Sequence, residues 1–327
     1  MKRLRRRELL GALAGAAAWP IVAGAQQSTT LVVGFLRSTS LSPFENLVSA
    51  FQRGLNEAGF IEGQNVTIAY RYGDDQIDRI QMLIAELIRQ PVAVIVANNA
   101  SALVAVSKTT TVPIVFVTGG DPVSDGLVAN INRPGGNITG VVFFSSFLGP
   151  KRLELLRELA PPATIIAVLA NPALPNTEAE LRAVEQAAEA IGQQLVVVRV
   201  NNDRDIEGAF DIFKQRHAGA LFVGAGPLLN SRRERLVALA ALNQLPASFS
   251  SREAVVAGGL MSYAASQSYA YRQAGEYAAR ILRGEKPGEL PVIRSDKFEF
   301  VINLKTAKTL GLSVPLTLQA AADEVIE

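Results

Sequence analysis

Short apolar, β-branched runs alternate with helical patterns along most of the chain, and this alternation predicts its architecture. Each run is nearly continuous in apolar residues, as expected for a strand that is buried on both faces of a parallel sheet. The first half is predicted to consist of strand 31–36, a helix that ends at Gly59, strand 66–72, helix 76–89, strand 92–97, helix 101–109 and strand 113–117. The intervening helices would cover both faces of the sheet.

The first predicted helix begins with a capping box. Ser42 is expected to be its N-cap, Pro43 its first residue and Glu45 its third, a position from which a carboxylate reaches back to the cap. Ser231 and Glu234 have the same spacing, so they predict the start of another helix in the second half.

The alternation restarts after a Gly/Pro-rich passage at 132–137. The predicted elements are strand 165–170, helix 177–191, strand 195–200, helix 206–216, strand 220–223, strands near 247–250 and 260–263, helix 269–283 and a last strand at 298–302. Two consecutive arrays of similar size predict an α/β fold with two doubly wound parallel-sheet lobes. Open parallel sheets bind ligands outside the carboxyl ends of their strands, so we expect a site in an interlobe cleft that closes about a hinge.

Residues 1–25 have the features of a signal peptide. Five basic side chains within 2–7 precede a short apolar stretch at 9–18, and small residues at 23–25 suit a cleavage site. The mature chain would begin near Gln26. Arg6 and Arg7 resemble a twin-arginine signal, with the general secretory route as the alternative. We expect a periplasmic protein that is not membrane-embedded, because no other stretch reaches 18 uninterrupted apolar residues.

Composition excludes several classes of function. The 327 residues include no cysteine and a single histidine, His217, so thiolate catalysis and His-pair metal motifs are excluded, and we expect no metal and no cofactor. The first 25 residues hold five of the 32 basic and one of the 30 acidic side chains, which leaves a net charge of −2 on the remainder. A nucleic-acid reader needs a basic face, so nucleic acid is not an expected partner.

An exported α/β hydrolase is the rival interpretation from the enzyme class. The chain has no G-x-S-x-G elbow, no P-loop and no H-E-x-x-H motif. The lone histidine lies at a predicted helix end, far in sequence from every serine that follows a strand. We therefore predict that the protein is not an enzyme.

Polar and aromatic residues that follow the predicted strands are the candidate ligand contacts. Hydroxyls and amides orient a small polar ligand in such a cleft, and aromatic rings supply apolar walls. The candidates are Ser38, Thr39, Asn98, Asn99, Ser101, Thr118 and Asp121 in the first half, and Asn171, Gly224, Phe249, Ser251, Glu253 and Tyr263 in the second. Each has a structural alternative: turns or caps for the polar residues, close backbone approach for Gly224, core packing for Phe249 and a hinge role for Tyr263.

Several short stretches carry a resemblance to a known family. They are PIVF at 113–116, GDPV at 120–123, GLV at 126–128, RPGGN at 133–137, NSRRE at 230–234, GGLMSY at 258–263 and FVINLKTA at 300–307. Together they resemble the periplasmic substrate-binding proteins of bacterial ABC transporters that are related to tryptophan/tyrosine-type binding proteins. The resemblance implies a type I periplasmic-binding fold, a small-molecule ligand and a transporter permease as partner. We expect a monomer.

The resemblance also implies domain bounds and a ligand class. The first lobe would comprise 26–143 and about 266–297, and the second 144–265, with the lobe of 298–327 left open. An amino acid, aromatic or branched, is the implied ligand, and a small carboxylate is next. Related proteins often have a Gly-Thr pair where this chain has Asn98-Asn99-Ala100-Ser101, so ligand identity does not carry over. A periplasmic sensor that serves a receptor is the alternative to uptake.

Overall fold

The computed structural model describes residues 30–74, 76–172 and 177–327. The predicted signal peptide lies outside the described residues. The strands are β1 (Leu31–Arg37), β2 (Val66–Tyr72), β3 (Val92–Asn98), β4 (Ile114–Thr118), β5 (Ile138–Val142), β6 (Ile165–Ala170), β7 (Gln194–Arg199), β8 (Ala220–Val223), β9 (Ala247–Phe249), β10 (Met261–Ala265), β11 (Ile293–Arg294), β12 (Phe298–Asn303) and β13 (Glu324–Ile326).

Helices connect most of these strands, as the alternation predicts. They are α1 (Glu45–Glu57), α2 (Ile77–Arg89), α3 (Asn99–Lys108), α4 (Gly149–Leu159), α5 (Thr177–Ala190), α6 (Asp203–Gln215), α7 (Pro227–Ser231), α8 (Arg233–Leu242), α9 (Arg252–Val256), α10 (Gln267–Leu282), α11 (Leu304–Thr309) and α12 (Leu316–Ala321). Among the helices of the described ranges, none has the length and apolar character that a bilayer span requires.

The first lobe is built on a parallel sheet with the strand order β11-β5-β4-β3-β1-β2. Helices α1 and α10 bury apolar side chains on one face of this sheet, and α2 and α3 do so on the other. Because both faces are covered, the strands are apolar along nearly their whole length.

The second lobe is built on a sheet with the order β13-β12-β10-β9-β8-β6-β7. Its pairs are parallel except that β12 runs antiparallel to β10. Helices α4 and α5 pack on one face, and α6 and α8 pack on the other. The predicted fold class, two doubly wound α/β lobes, is thereby confirmed. Strands β12 and β13 place the C-terminal segment in the second sheet.

The chain passes between the two sheets after β5, after β10 and after β11. The second passage begins α10, which returns to the first lobe and lies against α1. The two helix backbones touch, since a Cβ atom at Gly275 would lie 2.3 Å from the carbonyl oxygen of Phe51 and one at Gly54 would lie 1.9 Å from that of Arg272. This close packing fixes the position of α10 against α1.

Both predicted capping boxes are wrong. Residues Ser42–Phe44 form a 3₁₀ turn, and α1 begins only at Glu45, without a side-chain cap. Ser231 ends α7, and its hydroxyl donates to the carbonyl oxygen of Leu228 at 2.7 Å. In both places a short helical turn precedes the long helix, and the serine predicted to be the N-cap belongs to that turn.

Strand β5 and helix α4 were not predicted. Gly140 makes β5 look like a turn in the sequence, but a Cβ atom there would lie 2.3 Å from the carbonyl oxygen of Phe116 on β4. The glycine is therefore required by close strand packing rather than by a turn. In α4, a buried arginine, Arg152, interrupts the apolar stripe.

Candidate functional site: an interlobe cavity

A cavity of about 590 Å³, counting its part open to solvent, lies between the carboxyl ends of the two sheets. The first lobe lines it at its strand ends with Arg37, Asn98, Val117, Gly119, Gly120 and Phe143, and from its helical turns with Phe44, Gln267 and Tyr271. The second lobe supplies Ala225, Gly226, Pro227, Asn230 and Ser250. The strand tips of the two lobes therefore face each other across one space, at the edge where parallel sheets bind ligands.

Arg37 is the only charged side chain among the residues that line the cavity. It is 3 % exposed, and its guanidinium carbon lies 4.1 Å from the centroid of the Phe44 ring. Its Nε donates to the hydroxyl of Thr39 at 3.4 Å, and its Nη1 donates to the hydroxyl of Tyr271. No carboxylate among the described residues pairs with it.

The Tyr271 hydroxyl remains neutral beside this cation. Burial raises the pKa of Tyr271 above its ordinary value, although the charge of Arg37 acts to lower it. The phenol therefore keeps its proton at neutral pH and has a donor for a second partner. Arg37 is held by neutral groups alone, so its charge stays uncompensated in the cavity.

Asn98 joins the ends of β1 and β3 beside Arg37. Its Oδ1 accepts from the backbone N–H of Ser38 at 2.9 Å, and its Nδ2 donates to the Ser38 hydroxyl at 2.9 Å. Both ends of the amide are thus engaged in the wall. This pair of bonds fixes the loop that follows β1.

The second-lobe wall is fixed from behind by a buried ion pair. The backbone N–H of Ala225 donates to the carboxylate of Glu180 at 3.0 Å, and Glu180 lies 3.4 Å from the guanidinium of Arg152. Within the wall itself, the hydroxyl of Ser250 donates to Oδ1 of Asn230 at 2.9 Å. The surface that this lobe presents to the cavity is neutral.

A groove lies beside the cavity and shares Gln267 with it. Here the Nδ2 of Asn46 on α1 donates to Oε1 of Glu253 on α9 at 2.7 Å. Ser251 lines the same groove. The bond connects the first lobe directly to the second at the mouth of the cavity.

No metal centre is evident in the described part of the chain, since no three His, Cys, Asp or Glu side chains within it are grouped to hold an ion.

Comparison with known proteins identifies the family. The family described as "ABC transporter substrate binding protein" matches residues 32–326. This chain belongs to the ABC transporter substrate-binding protein family. The resemblance drawn from the short motifs is therefore confirmed. The family is one of solute-binding proteins, not enzymes, as the missing catalytic motifs predict.

Individual proteins and solved structures are similar to this chain over most of its length. A tyrosine-binding protein of Clostridioides difficile is 26 % identical over 263 residues, which is 80 % of this chain and 75 % of that protein. A conserved domain protein of Vibrio cholerae has a TM-score of 0.84 at 24 % identity, over 90 % of this chain and 99 % of its own. An ABC domain of Streptococcus pneumonia in complex with L-Trp has a TM-score of 0.81 at 23 % identity, over 90 % and 100 %.

Five of the predicted site residues of this ABC substrate-binding protein lie at the cavity or at its mouth. Asn98 lines the cavity. Ser38 and Thr39 lie behind that wall and hold its polar side chains by the bonds described above. Ser251 and Glu253 line the outer groove instead of the cavity.

Three further predicted residues shape the backbone near the cavity. The hydroxyl of Thr118 accepts from the N–H of Gly120 at 3.1 Å and so fixes the turn after β4. Gly224 allows close approach, because a Cβ atom there would lie 2.9 Å from the carbonyl oxygen of Leu169. Asn99 begins α3, and its side chain lies outside what the structure describes.

Three predicted polar residues are not among the residues that line the cavity. Asp121 accepts from the N–H of Val123 at 2.9 Å within its own turn. Asn171 donates to the carbonyl oxygen of Val200 at 2.7 Å. Ser101 is fully buried in α3, and its hydroxyl has no partner among the described residues.

The two predicted aromatic residues do not line the cavity. Phe249 is 2 % exposed in the core of the second lobe, where its ring would lie 2.7 Å from a Cβ atom at Gly259. Tyr263 packs on β12, with ring centroids 6.4 Å from Phe298 and 6.2 Å from Phe300. Both rings therefore pack within the second lobe rather than on a cleft wall.

The aromatic and charged residues of the cavity, and two of its three side-chain amides, were missed by the sequence analysis. They are Arg37, Phe44, Phe143, Asn230, Gln267 and Tyr271. One signal was available: Arg37 ends the run LVVGFLR, a strand that is predicted to be buried on both faces. A charge at such a position is expensive unless a partner or a ligand meets it.

Proposed function

We propose that this protein is the extracytoplasmic component of an ABC uptake transporter and that it captures a small carboxylate-bearing molecule, an amino acid or an organic acid, between its lobes. Arg37 carries this proposal. It is a 3 % exposed guanidinium in the interlobe cavity, without a carboxylate partner among the described residues.

A ligand carboxylate would complete the hydrogen bonding and the charge of Arg37. Burial of an unpaired charge is costly, and a carboxylate supplies both the opposite charge and two acceptor oxygens in the plane of the guanidinium. Nη2 of Arg37 donates to no described residue, and its other bonds go to neutral hydroxyls. Phe44, Val117 and Phe143 give the same cavity an apolar lining for the rest of the molecule.

The names of the relatives support a ligand of this class. One relative is a tyrosine-binding protein, and one similar structure is a complex with L-Trp. Both of those molecules carry a carboxylate on an aromatic body, which matches a guanidinium set among aromatic rings.

The ligand is proposed to close the two lobes about their connecting segments. Each lobe supplies one wall of the cavity, so a ligand makes its full set of contacts only when the walls meet, which shifts the population to the closed form. The hydrogen bond of 2.7 Å between Asn46 and Glu253 joins the two lobes directly in the structure, so this contact would depend on how far the lobes are closed.

The cellular setting follows from the sequence and the family together. The N-terminal leader would export the chain to the periplasm by the twin-arginine or the general secretory route. There a monomer would deliver its ligand to the permease of the transporter.

A thermal-unfolding screen of the mature protein against amino acids and small organic acids tests the ligand class. A ligand at about 100 times its dissociation constant adds about 2.7 kcal/mol to the free energy of unfolding. Arg37→Met is expected to abolish the stabilisation by every carboxylate that binds, whereas the control Arg199→Met, at an exposed ion pair, should leave it intact. The absence of stabilisation by any of these carboxylates, or an unchanged response in Arg37→Met, would refute the carboxylate proposal.

Small-angle X-ray scattering tests closure separately. The radius of gyration should fall when a ligand from the screen saturates the protein. A constant radius of gyration would refute the hinge motion and leave the ligand class standing.

A further inference from the structure

The residues that line the cavity carry positive charge but no negative charge. Arg37 contributes a full positive charge, and the residues that line the cavity include neither aspartate nor glutamate. An amino acid brings an ammonium group as well as a carboxylate. The carboxylate has an obvious place at Arg37, but the ammonium meets no opposite charge in the same space.

The acids nearest to the cavity are engaged outside it. Glu180 lies behind the wall, where its carboxylate accepts from Ala225 at 3.0 Å. Asp121 accepts within its own turn. Glu45 and Glu253 line the outer groove rather than the cavity. None of these four carboxylates lines the space in which an α-ammonium next to a bound carboxylate would lie.

Of the three side-chain amides in the lining, those of Asn98 and Asn230 have occupied oxygens, and the neutral amide of Gln267 is the remaining one. Oδ1 of Asn98 accepts from the backbone of Ser38 at 2.9 Å, and Oδ1 of Asn230 accepts from Ser250 at 2.9 Å. An ammonium group has three N–H donors and loses several kcal/mol of hydration when it is buried. Neutral acceptors that are already in use compensate this loss poorly.

Two helix N-termini add to the positive potential. Asn98 precedes α3, and Gln267 is the first residue of α10; both line the cavity, and neither helix has a side-chain cap. The partial positive charge at such ends favours an anion and disfavours a second cation. Both helix N-termini therefore favour a bound anion, as Arg37 does.

We propose that the ligand is a monocarboxylate with an apolar body and without an α-ammonium group. This inference rests on the proposed function, since it assumes that Arg37 receives a ligand carboxylate. It narrows the class from amino acids and organic acids to the acids alone, of the arylalkanoic or branched alkanoic type.

Matched pairs of ligands test the inference by isothermal titration calorimetry at pH 7. L-Phenylalanine is compared with 3-phenylpropanoate, and L-leucine with 4-methylpentanoate; each pair differs only by the ammonium group. In a pair that binds, we expect the acid to bind at least 10-fold more tightly than the amino acid. Equal or tighter binding of the amino acids, or failure of both acids to bind, would overturn the inference.

Arg37→Met separates this inference from the proposed function. If the amino acids bind more tightly than the acids and Arg37→Met abolishes their binding, Arg37 does bind the ligand carboxylate and only the restriction to ligands without an ammonium group is wrong. If Arg37→Met leaves the affinities of all four compounds unchanged, Arg37 does not bind the carboxylate and both proposals are refuted.

A gain-of-charge variant gives an independent test. Asn230→Asp keeps the oxygen that accepts from Ser250 and adds a carboxylate to the lining. It should shift the acid-to-amino-acid affinity ratio toward the amino acid by at least threefold. Asn130→Asp adds the same charge at an exposed turn outside the cavity lining and is the control. A ratio that responds equally in both variants, or in neither, would contradict the argument from cavity charge.

Discussion

Replacement of Arg152 by methionine removes a cation from the interior of the second lobe. Arg152 is fully buried, and its guanidinium carbon lies 4.2 Å from the centroid of the Phe222 ring. It donates to the carbonyl oxygens of Val223 and, at 3.3 Å, of Ser248, and it lies 3.4 Å from the carboxylate of Glu180. Methionine has a similar length but no donor, so two backbone acceptors lose a hydrogen bond from Arg152 and the carboxylate of Glu180 keeps only the N–H of Ala225.

The expected loss is large because the partner charge stays behind. Removal of one member of a buried ion pair typically costs about 3–5 kcal/mol, which is a large share of the about 5–15 kcal/mol that stabilises an ordinary protein. Burial lowers the pKa of Arg152 to about 10, so this side chain is still charged at neutral pH in the native protein. Arg152→Met should therefore lower the free energy of unfolding by about 3–5 kcal/mol at pH 7.

The loss should also grow with pH. Burial raises the pKa of Glu180 above its ordinary value of 4.5, and the charge of Arg152 is the largest influence that lowers it. Without Arg152 this pKa rises further. A carboxyl group whose pKa is raised by folding contributes stability below its unfolded pKa and loses it as the pH rises through its folded pKa. Both proteins lose this contribution at the same rate just above the ordinary pKa, so the deficit of Arg152→Met should widen only once the pH exceeds the raised pKa of Glu180 in the native protein.

Urea unfolding followed by circular dichroism at pH 5 and pH 8 measures both effects. Arg152→Met/Glu180→Gln should lose the pH-dependent part of the deficit, because glutamine does not titrate. Arg199→Met is the matched control, since Arg199 pairs with Glu178 at 3.0 Å on the surface, and its midpoint should not move. A deficit below about 1 kcal/mol that is the same at both pH values would refute the reasoning.

Two further predictions concern helix packing and lobe contact. In urea unfolding, Gly275→Ala should lower the free energy of unfolding by about 1–3 kcal/mol, because its Cβ atom would lie 2.3 Å from the Phe51 carbonyl oxygen. The control Gly208→Ala, at an exposed position of α6 with no atom within 4 Å of the added Cβ, should raise it by about 0.5–1 kcal/mol. Equal stability of Gly275→Ala and the native protein would contradict the close helix contact. Asn46→Asp places a second carboxylate against Glu253 and should weaken the affinity for a ligand from the screen by about 2–10-fold in calorimetry, with recovery in Asn46→Asp/Glu253→Gln. An affinity that does not change in Asn46→Asp would exclude a role for this contact in closure.

The buried strands could be predicted almost residue by residue. Ile165–Ala170 and Ala220–Val223 have the bounds that their apolar runs predict. A strand covered on both faces excludes polar residues, so its ends coincide with the first polar or turn-forming residue. Helix starts were less predictable, because local turns such as Ser42–Phe44 compete for the same serine.

The candidate site could be predicted as a location but only partly as a set of residues. The rule that ligands lie at strand ends selected Asn98, which lines the cavity, yet it treated every polar residue there as equal. Asn171 and Asp121 follow strands just as Asn98 does, but they complete backbone turns instead. Which role a side chain takes depends on long-range contacts, such as that between Arg37 and Tyr271, which are 234 residues apart in sequence.

The position of the cavity charge suggests different roles in ligand binding for the two lobes. Arg37 belongs to the first lobe and is fixed there by Thr39 and Tyr271, so it needs no reorganisation when an anion arrives. The wall of the second lobe is neutral, and in the proposed closure its contacts would become available only when the lobes meet. Under the proposed function, the first lobe would make the first contact with the ligand and set its charge class. The shape of the second wall, around Asn230, would then select among molecules of that class.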